Sequence, residues 1–200
     1  MLFHSFTFAI FFVIVFSLYL KLPHKLQNRM LLVASYVFYG AWEWRYLGLL
    51  FISTLTDYFC ALYVEKSEEK SKKKFVYLSI FVNLTLLGIF KYYDFFAVNF
   101  ESLMGNFGII THPYFLNVAL PIGISFYTFQ SISYTVDVYR GKLQACKNFL
   151  DFSLYVSFFP QLVAGPIERG TRLLPQILNS RSITKDNIIK GLYCIFWGLF

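Results

Sequence analysis

The chain has 200 residues, 57% of them hydrophobic and only 14% charged, and its mean hydropathy is +0.54; this balance excludes an ordinary soluble domain and points to an all-α polytopic membrane protein. The net charge of +7 falls in short segments between apolar runs, which speaks for membrane topology and against nucleic-acid binding. Cys60, Cys146 and Cys194 are odd in number and lack ligand spacing, so neither a disulfide framework nor a metal site is indicated.

Residues 6–20 form the first apolar run. Without a basic leader or a small-residue cleavage site it does not match a signal peptide, and it is predicted to be a retained membrane helix. Residues 30–40, ending in the interfacial Trp42 and Trp44, and residues 46–64 are predicted as the second and third spans. Residues 75–90 make the fourth, closed by Lys91, Tyr92, Tyr93 and Asp94. A fifth is expected over 116–136, interrupted by Pro121 and Gly123. The last apolar stretch, 191–200, starts directly after Lys190 and is short of the roughly twenty residues a span needs. The 200 residues are therefore expected to be the N-terminal part of a single membrane domain that continues further. With aromatics at 22%, many rings are expected between helices rather than only at interfaces.

Loop charge orients these spans. Residues 21–29 carry Lys21, Lys25 and Arg29 with no acid, and residues 65–74 carry five lysines against three glutamates; both are predicted cytoplasmic by the positive-inside rule. The N-terminus and residues 91–117 are then outside, and Arg140, Lys142 and Lys147 are inside. The apolar run 149–164 is followed by Arg169, Arg172, Arg181, Lys185 and Lys190, which also belong inside. A full crossing would strand them on the wrong face, so this run is predicted to be re-entrant, returning to the cytoplasmic side near 160–170.

The segment 158–172, FFPQLVAGPIERGTR, places Pro160, Pro166, Gly165, Gly170, Glu168 and two arginines directly after that run. Backbone freed by Pro and Gly, and charges at membrane depth, are tolerated only against protein or a water-filled cavity. The segment is either a polar passage or the solvated end of a helix. Asp57, inside the third span, is a functional candidate or a buried acid bonded to a neighbouring helix. Asn83 and Thr85 read as interhelical hydrogen-bonding groups. Gln130, Ser133, Tyr134 and Asp137 recur every three or four residues and form one polar stripe, either a pore wall or a bundle seam; Asp137 and Arg140 can pair at i, i+3. His4, His24 and His112 lie outside the apolar spans and read as structural or surface groups. No nucleophile elbow, Walker loop, zinc-binding His-Glu-x-x-His or Rossmann fingerprint is present.

Several blocks in order, among them ASYVFYGAWEWRYLGLLFISTLTDY, LGIFKYYDFF, LPIGISFYTFQSISYTVDVYRG and FFPQLVAGPIERGTRLLPQI, resemble the membrane-bound O-acyltransferase superfamily. The resemblance is to its bacterial branch of alginate O-acetylation and teichoic-acid D-alanyl transfer proteins, and it covers essentially the whole chain. It implies a helical funnel with re-entrant and broken helices around a tunnel, in the bacterial plasma membrane with the N-terminus extracytoplasmic. There an acyl group passes from a cytoplasmic thioester donor, acetyl-CoA or an acyl carrier protein, to an exported polysaccharide such as alginate. No bound cofactor is implied; an extracytoplasmic acetyltransferase partner is. The resemblance also implies a catalytic histidine downstream of Phe200, matched by none of the three here, so no catalytic residue is assigned in this chain. Gln161, Gly165, Pro166, Glu168 and Arg169 would shape the donor-side mouth, and Gln130, Tyr134, Asp137 and Arg140 would line or brace the channel. A guanidinium fork suits a donor phosphate, although Arg169 can equally pair with Glu168 or Asp137. Without the motif match the broken helices also suit a transporter or channel subunit, and a non-catalytic scaffold is a third class.

Overall fold

A computed structural model describes residues 5–108, 121–162, 165–166 and 168–199. Among them every regular element is helical. Helix α1 (Phe6–Lys21) opens at Ser5, whose Oγ accepts the Phe8 N–H at 3.1 Å. It stops at Leu22, which adopts an extended backbone because the next residue, Pro23, disfavours a helical conformation there. Helix α2 (His24–Glu43) follows. A 3-10 turn at Trp44–Tyr46, entered through an extended Glu43, then leads into α3 (Leu47–Lys66). The chain doubles back at this turn. The start of α2 and the end of α3 both meet the segment 145–151: Asn28 bonds Asp151 at 2.8 Å, and Glu65 Oε1 accepts the Ala145 N–H at 3.1 Å.

Helix α4 (Glu69–Leu87) runs through a π-turn at Gly88–Tyr92 into α5 (Tyr93–Asn106). The fourth element is thus longer than the sequence suggests. Lys91, Tyr92, Tyr93 and Asp94 do not close it, because none of these side chains obstructs helical backbone and no proline intervenes. The stretches His24–Lys66 and Glu69–Asn106 are each long and apolar enough to cross a membrane, whereas α1 is a shorter apolar helix. No residue of α5 is buried.

The opening residues of the expected fifth span, 116–120, lie outside the described residues, as do His4 and His112. Helix α6 (Ile124–Tyr139) starts after Gly123, whose φ of +78° is left-handed and accessible at little cost only to glycine. The apolar run from 149 splits into α7 (Phe149–Ser157) and the short α8 (Phe159–Leu162). Pro160 accounts for the split, since it cannot donate to the carbonyl one turn back but fits the first turn of a new helix. Helices α9 (Gly170–Leu178) and α10 (Lys185–Leu199) complete the chain.

The core gathers α2, α3, α4, α6 and α7, with Phe38, Leu50, Ala61, Tyr127, Tyr134, Phe152 and Tyr155 nearly inaccessible. Rings pack between helices here, as the composition leads one to expect. Tyr134 and Phe152 stand 4.6 Å apart, and Phe159 meets Phe8, Phe11 and Phe38 at 5.4–6.4 Å.

Candidate functional site

Two polar assemblies occupy the interior. The first surrounds Asp57 on α3. Its carboxyl group accepts hydrogen bonds from Ser79 Oγ, from Asn83 Nδ2 at 2.8 Å and, more weakly, from Thr135 Oγ1 at 3.4 Å. Ser53 donates to Asn83 Oδ1 at 2.6 Å, and Asn83 donates also to the Ser79 carbonyl at 2.9 Å. Ser131 stands beside the same carboxyl, its Oγ without a geometric hydrogen-bond partner. Each helix supplies a pair at i and i+4, namely Ser53/Asp57, Ser79/Asn83 and Ser131/Thr135, so each pair lies on one face of its helix. Of the two sequence readings of Asp57, the buried and bonded acid is the one its surroundings match. Asn83 is interhelical as expected, whereas Thr85 is exposed on the outer face of α4.

The second assembly is a hairpin made by α7, α8 and α9. Asn28 on α2 holds both of its arms. The Asn28 amide donates to Asp151 Oδ1 at the start of α7 and to the Ile177 carbonyl near the end of α9, at 2.8 and 2.9 Å. The tip reaches away from this clasp. The Phe159 N–H donates to Ser35 Oγ at 3.2 Å, and a Cβ on Gly123 would meet the Leu162 carbonyl oxygen at 2.5 Å. Gly123 sits at the level of Tyr39, whose hydroxyl donates to the Ile122 carbonyl at 3.0 Å. Tyr39 lies three turns of α2 beyond Asn28, about 16 Å at helical rise, which is roughly half of a 30 Å hydrocarbon core. The chain then returns: Gly170 packs on Leu143, Tyr134 and Tyr155, back beside the segment that follows α6.

The residues singled out from sequence distribute unevenly along this hairpin. Gln130 and Gln161 meet, Gln161 Nε2 donating to Gln130 Oε1 at 3.0 Å while Gln130 Nε2 donates to the Tyr155 carbonyl at 2.8 Å. Both are buried. Tyr134 is fully buried, and its hydroxyl accepts the Cys146 N–H at 2.8 Å. Ser133 turns inward on its own helix, donating to the Gln130 carbonyl at 2.8 Å. Asp137 is buried and Arg140 exposed, and no ion pair joins them among the described residues. Gly165 lies in a tight turn, where a Cβ would meet Gln161 Cα at 2.7 Å. Pro166 and Arg169 are exposed. Glu168 makes a long contact with Arg172 at 3.9 Å rather than with Arg169, and its carbonyl accepts a long bond from the Tyr155 hydroxyl at 3.5 Å. His24 Nε2 stands 3.2 Å from the Leu178 carbonyl.

Sequence reasoning missed the clasp. Asn28 reads as a loop residue beside basic neighbours, and Arg181 was noted only for its charge. In the fold Arg181 donates to Asn28 Oδ1 at 2.7 Å and to the Gln176 carbonyl at 2.8 Å, and its guanidinium lies over the Tyr19 ring at 5.7 Å. Ser79, Ser131 and Thr135 were missed as well, although small polar pairs at i, i+4 inside apolar helices were a usable signal. At the clasp end of the molecule, burial pushes the Cys146 thiol up to about 11, a backbone hydrogen bond with Asn148 opposing the shift, so the thiolate is disfavoured there. Among the described residues no group of three His, Cys, Asp or Glu side chains is placed to hold a metal ion.

The described residues are thus all-helical, with two stretches long and apolar enough to cross a membrane, a buried polar junction between α3, α4 and α6, and a hairpin whose two arms meet at Asn28. The chain is 40% identical over 195 residues to the probable alginate O-acetylase AlgI of Pseudomonas putida, covering 96% of this chain and 40% of the relative. It is 38% identical over 198 residues to the protein of the same name from Azotobacter vinelandii, with 96% and 38% coverage. It is also 34% identical over 197 residues to the peptidoglycan O-acetyltransferase of Helicobacter pylori, with 85% and 36% coverage. These relatives are of the membrane-bound O-acyltransferase family, and the chain spans about two fifths of the length of the alginate relatives it matches. No family model matches it, and no solved structure does.

Proposed function

We propose that the full-length protein is a membrane O-acetyltransferase that moves an acetyl group across the bacterial plasma membrane to an exported polysaccharide. Alginate is the acceptor named for the alginate relatives, peptidoglycan the acceptor named for another; nothing in the comparisons favours D-alanyl transfer or transport. The observation that carries the reading is the identity to O-acetylases along nearly the whole of this chain, combined with the hairpin clasped at one end by Asn28.

The hairpin gives the reading a physical basis. Lys21, Lys25, Arg29, Lys142, Lys147, Arg172 and Arg181 all belong to segments at the clasp end, the cytoplasmic end by the positive-inside rule. A segment that enters and leaves on that side and reaches about halfway across thins the protein barrier between donor and acceptor. Glu168, Arg169 and Pro166 border its cytoplasmic mouth, where an acetyl thioester, on coenzyme A or a carrier protein, would approach. Gln130 and Gln161 brace its depth. A funnel around a tunnel is the architecture this arrangement would complete, with an extracytoplasmic acetyltransferase as the partner that finishes transfer. The general base on the acceptor hydroxyl is a histidine we assign to the family's remaining length, since His24 in this segment sits at the end of α9 rather than within the bundle.

The test uses the full-length protein in its native host. Replacing each histidine of its later apolar helices in turn and measuring the acetyl content of the exported polymer is expected to reveal one position whose loss removes acetylation. Wild-type acetylation in every such variant would refute the enzymatic reading.

A further inference from the structure

Between α1 and the α8–α9 return lies an open groove of about 590 Å³, within the range of roughly 300–1,000 Å³ that holds small-molecule ligands. One wall is a ladder of rings on α1, Phe12 and Phe16 stacked at 5.9 Å and Phe16 and Tyr19 at 6.5 Å. The facing wall is Phe158, Pro160 and Leu173. From Phe12 to Tyr19 the ladder covers about two helical turns, or about 10 Å, most of the roughly 15 Å hydrocarbon thickness of one leaflet. The outer face of α1 is apolar and exposed, at Ile10, Ile14 and Leu18 among others, so the groove opens beside a surface suited to lipid.

At the clasp end the lining turns polar. Ser180, Ser182 and Asn179 are exposed there, and Arg181 is the only charged residue of the lining, with no acid among the rest. Four of the five N–H groups of Arg181 are engaged, by the Gln176 and Ile177 carbonyls, Asn28 Oδ1 and, weakly at 3.4 Å, the Tyr19 hydroxyl. One Nη1 N–H has no partner among the described residues, and the bond to Tyr19 is long enough to yield. A guanidinium held rigid by other bonds and presenting a free edge is suited to a phosphate oxygen.

We propose that this groove holds one anionic phospholipid of the cytoplasmic leaflet, an acyl chain lying along the Phe12–Phe16–Tyr19 ladder and the phosphate on Arg181. The two halves of the groove match the two halves of such a lipid, and an acetyl group would leave the apolar half empty. The lipid would fill the seam between α1 and the hairpin and so fix the hairpin against the bundle. The inference rests on the membrane reading alone: a full-length protein that proves inactive in acetyl transfer still retains the lipid if it is right.

The test extracts full-length protein from membranes containing equal amounts of phosphatidylglycerol and phosphatidylcholine and counts retained lipid by native mass spectrometry. Wild type is expected to keep one phosphatidylglycerol, favoured over phosphatidylcholine about fivefold, the factor one basic residue provides near an anionic headgroup. Arg181→Gln is expected to abolish that preference. Because Arg181 also supports Asn28, Leu173→Trp serves as the independent variant: it leaves every Arg181 bond in place, fills the apolar half and is expected to lose the retained lipid. A wild type that keeps no lipid, as when another part of the full-length protein occupies the groove, overturns the proposal. So does equal retention of the two lipids by wild type, or a wild-type lipid count in Leu173→Trp.

Discussion

Asn28→Ala removes a side chain that bonds both arms of the hairpin. Three bonds go with it: to Asp151 at 2.8 Å, to the Ile177 carbonyl at 2.9 Å and from Arg181 at 2.7 Å. Bonds to charged partners contribute about 1.5–3 kcal/mol each and neutral ones about 0.5–1.5 kcal/mol, while interhelical bonds measured within membrane proteins average nearer 0.6 kcal/mol. Arg181 keeps the Gln176 and Ile177 carbonyls, and Asp151, which is half-buried, regains water. The expected net cost is therefore about 2–4 kcal/mol. For a chain of this size each kcal/mol corresponds to about 2–4 °C in Tm, so thermal unfolding in detergent should fall by roughly 5–15 °C. Because Asn28 and Asp151 share a bond, Asn28→Ala and Asp151→Ala should be non-additive by about 1 kcal/mol in a double-mutant cycle. A Tm within 1 °C of wild type, or strict additivity of the pair, would refute the clasp.

Gly123→Ala meets two obstacles together: a φ of +78° that disfavours any Cβ and the Leu162 carbonyl oxygen only 2.5 Å from where that Cβ would stand. Neither obstacle is a flexible side chain, so the hairpin tip must shift, at a cost of about 3 kcal/mol or more; limited proteolysis of the 162–170 segment should accelerate, and an unchanged cleavage rate would show that the tip does not dock on Gly123. Asp57→Leu leaves Asn83 without its acceptor on α3 and must seat a bulkier apolar side chain of the same length among the hydroxyls of Ser79, Ser131 and Thr135. Unfolding in detergent should show a loss of about 2–4 kcal/mol, and a variant as stable as wild type would mean that the junction contributes nothing net.

The elements most legible in the sequence were those whose signal is local. Long apolar runs marked α1 to α4, and the left-handed Gly123 and Pro160 marked the breaks before α6 and α8. Loop charge alone suggested that the run from 149 returns to its starting side, and the bonds of Asn28 to Asp151 and Ile177 bring its two arms together. What stayed hidden depends on long-range register. Nothing near Asn28 in the chain says that it faces residues more than a hundred positions away. Lys91 to Asp94 look like a helix end because they are polar, yet polarity does not break a helix, and α4 continues through a π-turn. Arg169, the most tempting residue for anion binding, is exposed and open to water, whereas Arg181, unremarkable in sequence, is fixed by four bonds.

The two polar assemblies do different work because they are held differently. In the Asp57 junction each of α3, α4 and α6 contributes an i, i+4 pair, so rotating any one helix by a single residue, about 100°, would turn its pair away from the junction. That trio is therefore locked in register, the best-attested use of a buried polar group. The hairpin is attached otherwise. Gln130 and Asn28 bind it through backbone carbonyls, and Ser35 through a backbone N–H. Such contacts specify where its backbone runs, beside the side-chain bonds of Asp151 and Gln161 and the core packing of Phe152, Tyr155 and Phe159. With a rigid trio carrying the hairpin, the depth of the tip is set by Ser35 and Gly123 on the scaffold. On this argument substitutions at Asp57 act on stability, and those at Gln130, Ser35 and Gly123 act first on the hairpin's position.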